Sequence, residues 1–215
     1  NAIYSVAQWY PRMCAYTDVH GWRHRQYIGG GEFTLEFGNF LVKITAPEDH
    51  IVASTGMLQN PEDVLTAEQR KRLEAAAVAK KPVLIVTPEE AAENRKKKAE
   101  GTKTWVYHAR NVRDFAFATS RAFVWDAMPS KGEGFSTMCM SYFPAEAMPL
   151  WDRYATHATA QTIEVYSRHT VPYPWPVAIS VNSPVGGMEY PMIHFTGARP
   201  EKDGTYSAGK KYGMI

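Results

Sequence analysis

The residues with the sharpest chemical content form one stretch, Asn182-Ser183-Pro184-Val185-Gly186-Gly187-Met188-Glu189-Tyr190-Pro191. An alternating apolar run ends there, two glycines leave the backbone bare enough for close approach, and one carboxylate follows. On those grounds alone the stretch reads as a Gly-rich connection between strands with an exposed glutamate. His20 and His24 have the spacing of a metal pair on a helix. Gly21 lies between them and no helical pattern surrounds them, so they read as loop histidines. His50, His108, His157, His169 and His194 share no ligand spacing, and H-E-x-x-H does not occur. Gly29-Gly30-Gly31 precedes a strand pattern, so it cannot hold phosphate at a helix N-terminus. No Ser, Thr or Cys sits in a nucleophile motif. The expectation is therefore no catalytic residue and no metal ligand set in this chain.

Composition narrows the classes. The 215 residues carry 24 Lys and Arg against 22 Asp and Glu. A net charge of +2 gives no electrostatic case for nucleic acid or an anionic membrane. No apolar run reaches membrane-spanning length. Cys14 and Cys139 exclude a disulfide framework and a Cys-rich zinc module, and leave one bridge or two free thiols open. The start, Asn1-Ala2-Ile3-Tyr4-Ser5-Val6, has neither an initiator Met nor a signal-peptide pattern. The end, Lys211-Tyr212-Gly213-Met214-Ile215, stops without a cap, so both ends read as cut. A cytoplasmic setting and a periplasmic or secreted one both remain open.

The elements that must position Glu189 follow from pattern. Glu32 to Phe37 alternates with Phe33, Leu35 and Phe37 on one face. Gly38-Asn39 then reads as a hairpin turn, and Phe40, Val42 and Ile44 return toward the core. With His50–Ser54 this predicts an antiparallel meander. Residues 66–100 change to charge-rich helix. Thr66-Ala67-Glu68-Gln69 and Thr87-Pro88-Glu89-Glu90 are capping boxes, and Gly101 is a stop. Acidic neighbours make the basic run Arg95-Lys96-Lys97-Lys98 a solvated helix face rather than an anion site. Strands are expected at 104–108 and 114–119, and the polar Asp126–Gly134 reads as a loop and domain boundary. A strand at 137–142 precedes a helix from about Pro149 to His169, with Trp151, Tyr154, Ala158, Thr162 and Val165 as its stripe. Pro172, Pro174 and Pro176 end that helix, and Val177, Ile179 and Val181 form the strand before the glycines.

Gly186-Gly187-Met188-Glu189 resembles the G-x-M-E-N exopeptidase motif of the aminopeptidase-N-like gluzincins, a family of zinc metallopeptidases. Through Pro191 it is similar to the bacterial branch with G-G-M-E-Y-P, in which Tyr190 stands where the wider motif has Asn. Gln8-Trp9-Tyr10-Pro11-Arg12, Gly31–Phe37 and Ile44-Thr45-Ala46-Pro47 are similar to the aromatic-Pro element and following strands of that family's β saddle domain. The resemblance implies a mixed β and α/β fold. Residues 1–122 would be the C-terminal part of an antiparallel β saddle domain, with its helical excursion at about 66–100. Residues 123–215 would be the truncated start of a thermolysin-like α/β catalytic domain.

The resemblance also implies a parent enzyme that is a zinc aminopeptidase acting on peptides. Gly186, Gly187, Met188, Glu189 and Tyr190 would bind substrate, with Glu189 on its α-ammonium. The zinc motif would follow Ile215, so this chain alone would bind no zinc and be inactive. A non-catalytic relative, keeping the scaffold as a peptide- or protein-binding module, is the alternative. A glycan-binding β domain is a third reading, set aside because the 6 Trp, 12 Tyr and 9 Phe are spread along the chain.

Overall fold

The computed structural model describes residues 2–26, 34–97 and 99–213. Gly29-Gly30-Gly31, Glu32, Phe33, Lys98, Met214 and Ile215 lie outside them. In chain order the elements are β1 (Tyr4–Ala7), β2 (Tyr16–Thr17), β3 (Gly21–Trp22), β4 (Gly38–Pro47), β5 (Ile51–Ser54), β6 (Met57–Leu58), α1 (Pro61–Val64), α2 (Ala67–Ala76) and β7 (Val83–Val86). They continue with α3 (Pro88–Lys96), β8 (Thr102–Val112), β9 (Ala116–Ser120), β10 (Phe123–Gly132), β11 (Phe135–Pro144), α4 (Trp151–His169), β12 (Val177–Asn182), β13 (Met188–Tyr190), β14 (Ile193–Thr196) and α5 (Ala208–Tyr212). The result is mixed α/β with mostly antiparallel sheets. Among the described residues no helix is long and apolar enough to cross a membrane.

The first third is β, but it is not a meander. β4 pairs along its length with β8, and β5 pairs with β9 in a separate three-stranded sheet beside β1. Gly38-Asn39 is no turn. It opens β4, and neither residue takes the positive φ that a type I′ hairpin requires. Phe37 is exposed, lying under the Arg113 guanidinium at 5.9 Å, while Leu35 forms a bridge with Cys14. Phe40, Val42 and Ile44 do turn inward. Both cysteines are free.

The charged segment holds two helices with a strand between them. Thr66 Oγ1 accepts from the Gln69 N–H at 3.2 Å and Gln69 Oε1 accepts from the Thr66 N–H at 3.1 Å. Thr87 and Glu90 repeat the box at 3.2 and 2.8 Å. Each box satisfies two backbone donors that a helix start leaves open. Between the helices, β7 leaves the segment and pairs with β10 through Trp125 to Ala127. Asp126–Gly134 is thus no loop: β10 runs to Gly132 and pairs with β11 throughout. Beyond Ala127 its other side is unpaired, which is where Pro129 fits without losing a ladder bond.

The larger sheet has the order β13-β14-β12-β11-β10-β7. β11, β12 and β14 are mutually parallel, α4 makes the crossover from β11 to β12, and β13 is an antiparallel edge. One face of this sheet (Val177, Ile179, Val181, Ile193, Phe195) joins the core of the β region, which includes Trp105, Phe115 and Val52. On the other face, Cys139 and Ala178 pack under Ala160 and Ile163 of α4. The buried side of α4 is Trp151, Ala155, Thr156, Ala158, Thr159, Ala160 and Ile163, whereas Val165 is exposed. Of the expected stripe, Trp151 and Ala158 are buried, whereas Tyr154 and Thr162 are only half-buried; small residues (Ala155, Thr156, Thr159 and Ala160) fill most of the rest of the buried side. Beneath α4, Thr156 donates to buried Asp126 at 2.5 Å and also meets Ser141.

Candidate functional site

The glycine-rich stretch leaves the C-terminal end of β12 and returns as the edge strand. Gly186 sits at φ +85°, a left-handed conformation that side chains disfavour. A Cβ at Gly186 or Gly187 would meet nothing within 4 Å, so both backbones border open space. Pro191 and Met192, the latter at φ +65°, then form the two-residue turn that sets Glu189 opposite His194 and Tyr190 opposite Ile193. Strand alternation does the rest. Met188 and Tyr190 pack onto the shared core, and Glu189 faces the α4 side of the sheet, exposed.

Three contacts hold this motif against the β region. Ser183 Oγ lies 2.7 Å from Ser5 Oγ, Thr55 donates to the Pro191 carbonyl at 3.0 Å, and Gln8 Nε2 donates to the Tyr190 hydroxyl at 3.4 Å. The Tyr190 ring lies edge-on to Phe195 at 6.0 Å. Burial raises the Tyr190 pKa, so its hydroxyl stays protonated at neutral pH. Gln8 takes a left-handed φ of 55° and begins the aromatic-Pro element, whose Tyr10 and Arg12 both bond Asp114, at 2.8 and 2.7 Å.

Glu189 borders two recesses. One, of about 220 Å³, is lined by Thr159 and Thr162 of α4 with Tyr173 and His194. The other, of about 260 Å³, is lined by Phe37, Arg113, Trp175 and Tyr190. Burial lowers the His194 pKa below the usual imidazole value, and the Glu189 carboxylate opposes that shift only in part. His194 is therefore neutral at pH 7. Among the described residues Glu189 has no ion-pair partner, which leaves its charge for a cation brought by a ligand.

Of the residues expected from sequence, the structure brings Gly186, Gly187, Met188, Glu189 and Tyr190 together on one edge. Gln8 and His194 were not expected at this site. His194 was legible in principle, since a two-residue turn at 191–192 pairs 189 with 194. Gln8 was not, because its neighbourhood depends on a contact 182 residues away. His24 is bound through Nδ1 to the Trp22 carbonyl at 2.9 Å. Among the described residues no three His, Cys, Asp or Glu side chains converge to hold a metal, so a zinc donor set does not fit here.

No protein-family model and no curated protein matches the chain. Solved structures do. Aminopeptidase A from Legionella pneumophila, in complex with aspartic acid, matches at TM-score 0.52 and 12% identity, over 85% of this chain and 19% of that one. The fold resembles part of that aminopeptidase. An M1 zinc metallopeptidase from Deinococcus radiodurans matches at TM-score 0.48 and 15% identity, over 74% of this chain and 30% of that one. A two-domain M1 zinc metallopeptidase variant bound to L-tryptophan matches at 0.49 and 13%, over 83% and 33%. The chain thus spans about a third or less of the structures it matches, and at these identities the likeness is one of fold.

Proposed function

We propose that the chain is part of a zinc metallo-aminopeptidase that removes N-terminal residues from peptides, and that it supplies the substrate-binding edge. The observation that carries this reading is β13. It is an edge strand that pairs with β14 on one side and, among the described residues, with no strand on the other; two bare glycine backbones precede it, and its Glu189 carboxylate has no ion-pair partner there. An extended peptide adds to such an edge by main-chain hydrogen bonds. Gly186 and Gly187 would give it room, Met188 and Tyr190 would anchor the strand in the core, and Glu189 would take the free α-ammonium. That amine has a reference pKa of about 8 and is largely protonated at neutral pH. In this reading residues 1–122 belong to a β saddle domain and 123–215 open the catalytic domain. Zinc and its ligands would lie in the rest of the longer protein, and no step at the metal is assigned to this chain.

The reading is tested in that longer protein. Charge-assisted hydrogen bonds are worth roughly 1.5–3 kcal/mol, so Glu189→Ala should lower kcat/KM on aminoacyl substrates about 10–150-fold. Wild type should cleave free peptides far better than N-acetylated ones, because an amide at Glu189 leaves the anion unpaired, and the variant should lose much of that preference. Equal cleavage of both by wild type, or a preference unchanged in the variant, would sink the assignment.

A further inference from the structure

A separate recess of about 370 Å³ lies in the N-terminal β region, and its wall is cationic. Arg12, Arg23, His24 and Arg25 line it with Cys14 and Thr34, and it shares no lining residue with the recesses around Glu189. Backbone bonds fix the three segments that build it. Cys14 bridges Leu35, the Ala15 N–H donates to the Thr34 carbonyl at 3.1 Å, and the Arg23 N–H donates to the Ala15 carbonyl at 2.9 Å. The short β2–β3 pairing carries Arg23 and Arg25 back beside Arg12.

Among the described residues, the charge on this wall is not balanced locally. Asp114 takes Arg12 at 2.7 Å, and it also accepts from the Tyr10 hydroxyl and the Phe115 N–H, each at 2.8 Å. Arg23 and Arg25 have no ion-pair partner among the described residues. Asp18 and Glu36, the nearby acidic residues among those described, do not line the recess, and Glu32 lies outside the described residues. Counting Asp114 against Arg12 still leaves two guanidinium groups over. Guanidinium forks match the paired oxygens of phosphate and carboxylate, and the volume falls within the range of small-molecule sites.

We propose that this cleft binds a small polyanion presenting two or more closely spaced oxyanion groups, phosphate or carboxylate. Arg23 and Arg25 supply the unpaired forks, and Arg12, held by Asp114, supplies a fixed third cation. The proposal is independent of the reading of Glu189.

Calorimetric titration of the chain with pyrophosphate at low ionic strength tests it, with tri-aspartate as a second arm. One-site binding is expected, weakened at least about 10-fold in Arg23→Ala/Arg25→Ala, as losing charge-assisted hydrogen bonds implies. Arg23→Lys/Arg25→Lys keeps the charge but not the fork, and should fall between the two. Lys71→Ala/Lys80→Ala removes equal charge from an exposed region elsewhere and should leave binding unchanged. Binding of pyrophosphate alone assigns the site to phosphates, tri-aspartate alone to carboxylates, and mutual competition to both. If neither ligand binds, or the Lys71/Lys80 variant weakens binding as much as the arginine variants do, the cleft is not a site.

Discussion

Gly186 and Gly56 both hold left-handed backbone, at φ +85° and +93°, yet a side chain would meet different surroundings at each. At Gly186 a Cβ meets nothing within 4 Å, so an alanine there bears only the backbone strain, about 1–2 kcal/mol. At Gly56 the same atom would sit 2.6 Å from the His108 carbonyl oxygen, in the strand that β6 pairs with. Gly56→Ala should therefore destabilise by more than about 3 kcal/mol, and Gly186→Ala by much less, in urea unfolding. Equal costs would mean that the space beside Gly186 is closed. Gly186 and Glu189 were readable because residue type alone limits what a backbone or carboxylate can do. The Gln8 to Tyr190 contact was not, since nothing local in either segment encodes its partner.

At the scale of elements, α4 rests on a buried acid. Burial pushes the Asp126 carboxyl up to about 7, the Thr156 and Ser141 hydroxyls pull it down, and Asp152 adds a smaller upward push. An unfolded aspartate titrates near 4, so between about pH 4 and 7 the folded chain binds more protons than the unfolded one. This stabilisation is complete below about pH 4 and is lost as pH rises through 7. Stability should accordingly fall between about pH 4 and 7, and Asp126→Asn should flatten that slope and exceed wild type at pH 8 by a few kcal/mol. An unchanged slope in the variant would show that Asp126 is ionised in the fold. The capping boxes and the ends of α4 were legible because those signals are local. The buried face of α4 was legible only at Trp151 and Ala158, because Thr156 faces inward to reach Asp126 rather than by hydrophobicity. β10 was hidden in the same way: Pro129, Ser130, Lys131 and Gly132 spell a loop, and only pairing with β11 makes them strand.

Over the whole molecule, the apolar core does not stop at residue 122. Trp105 and Phe115 belong to the same buried cluster as Trp125, Val177 and Phe195, on both sides of that position. β7 crosses over to pair with β10, and Ser5 and Thr55 hold the motif loop from the β region. The edge that carries Glu189 is consequently shaped by both parts, since Gln8 meets Tyr190 only while the two stay packed. Such a continuous core should unfold in one transition. Phe115 is fully buried in the β region, and Phe115→Ala should cost about 3–5 kcal/mol. In hydrogen exchange, the amides of β5 and of β12 should lose the same protection in that variant, although β12 belongs to the other sheet. If β5 loosens while β12 keeps its wild-type protection, the two parts fold independently, and the contact between Gln8 and Tyr190 does not depend on a shared core.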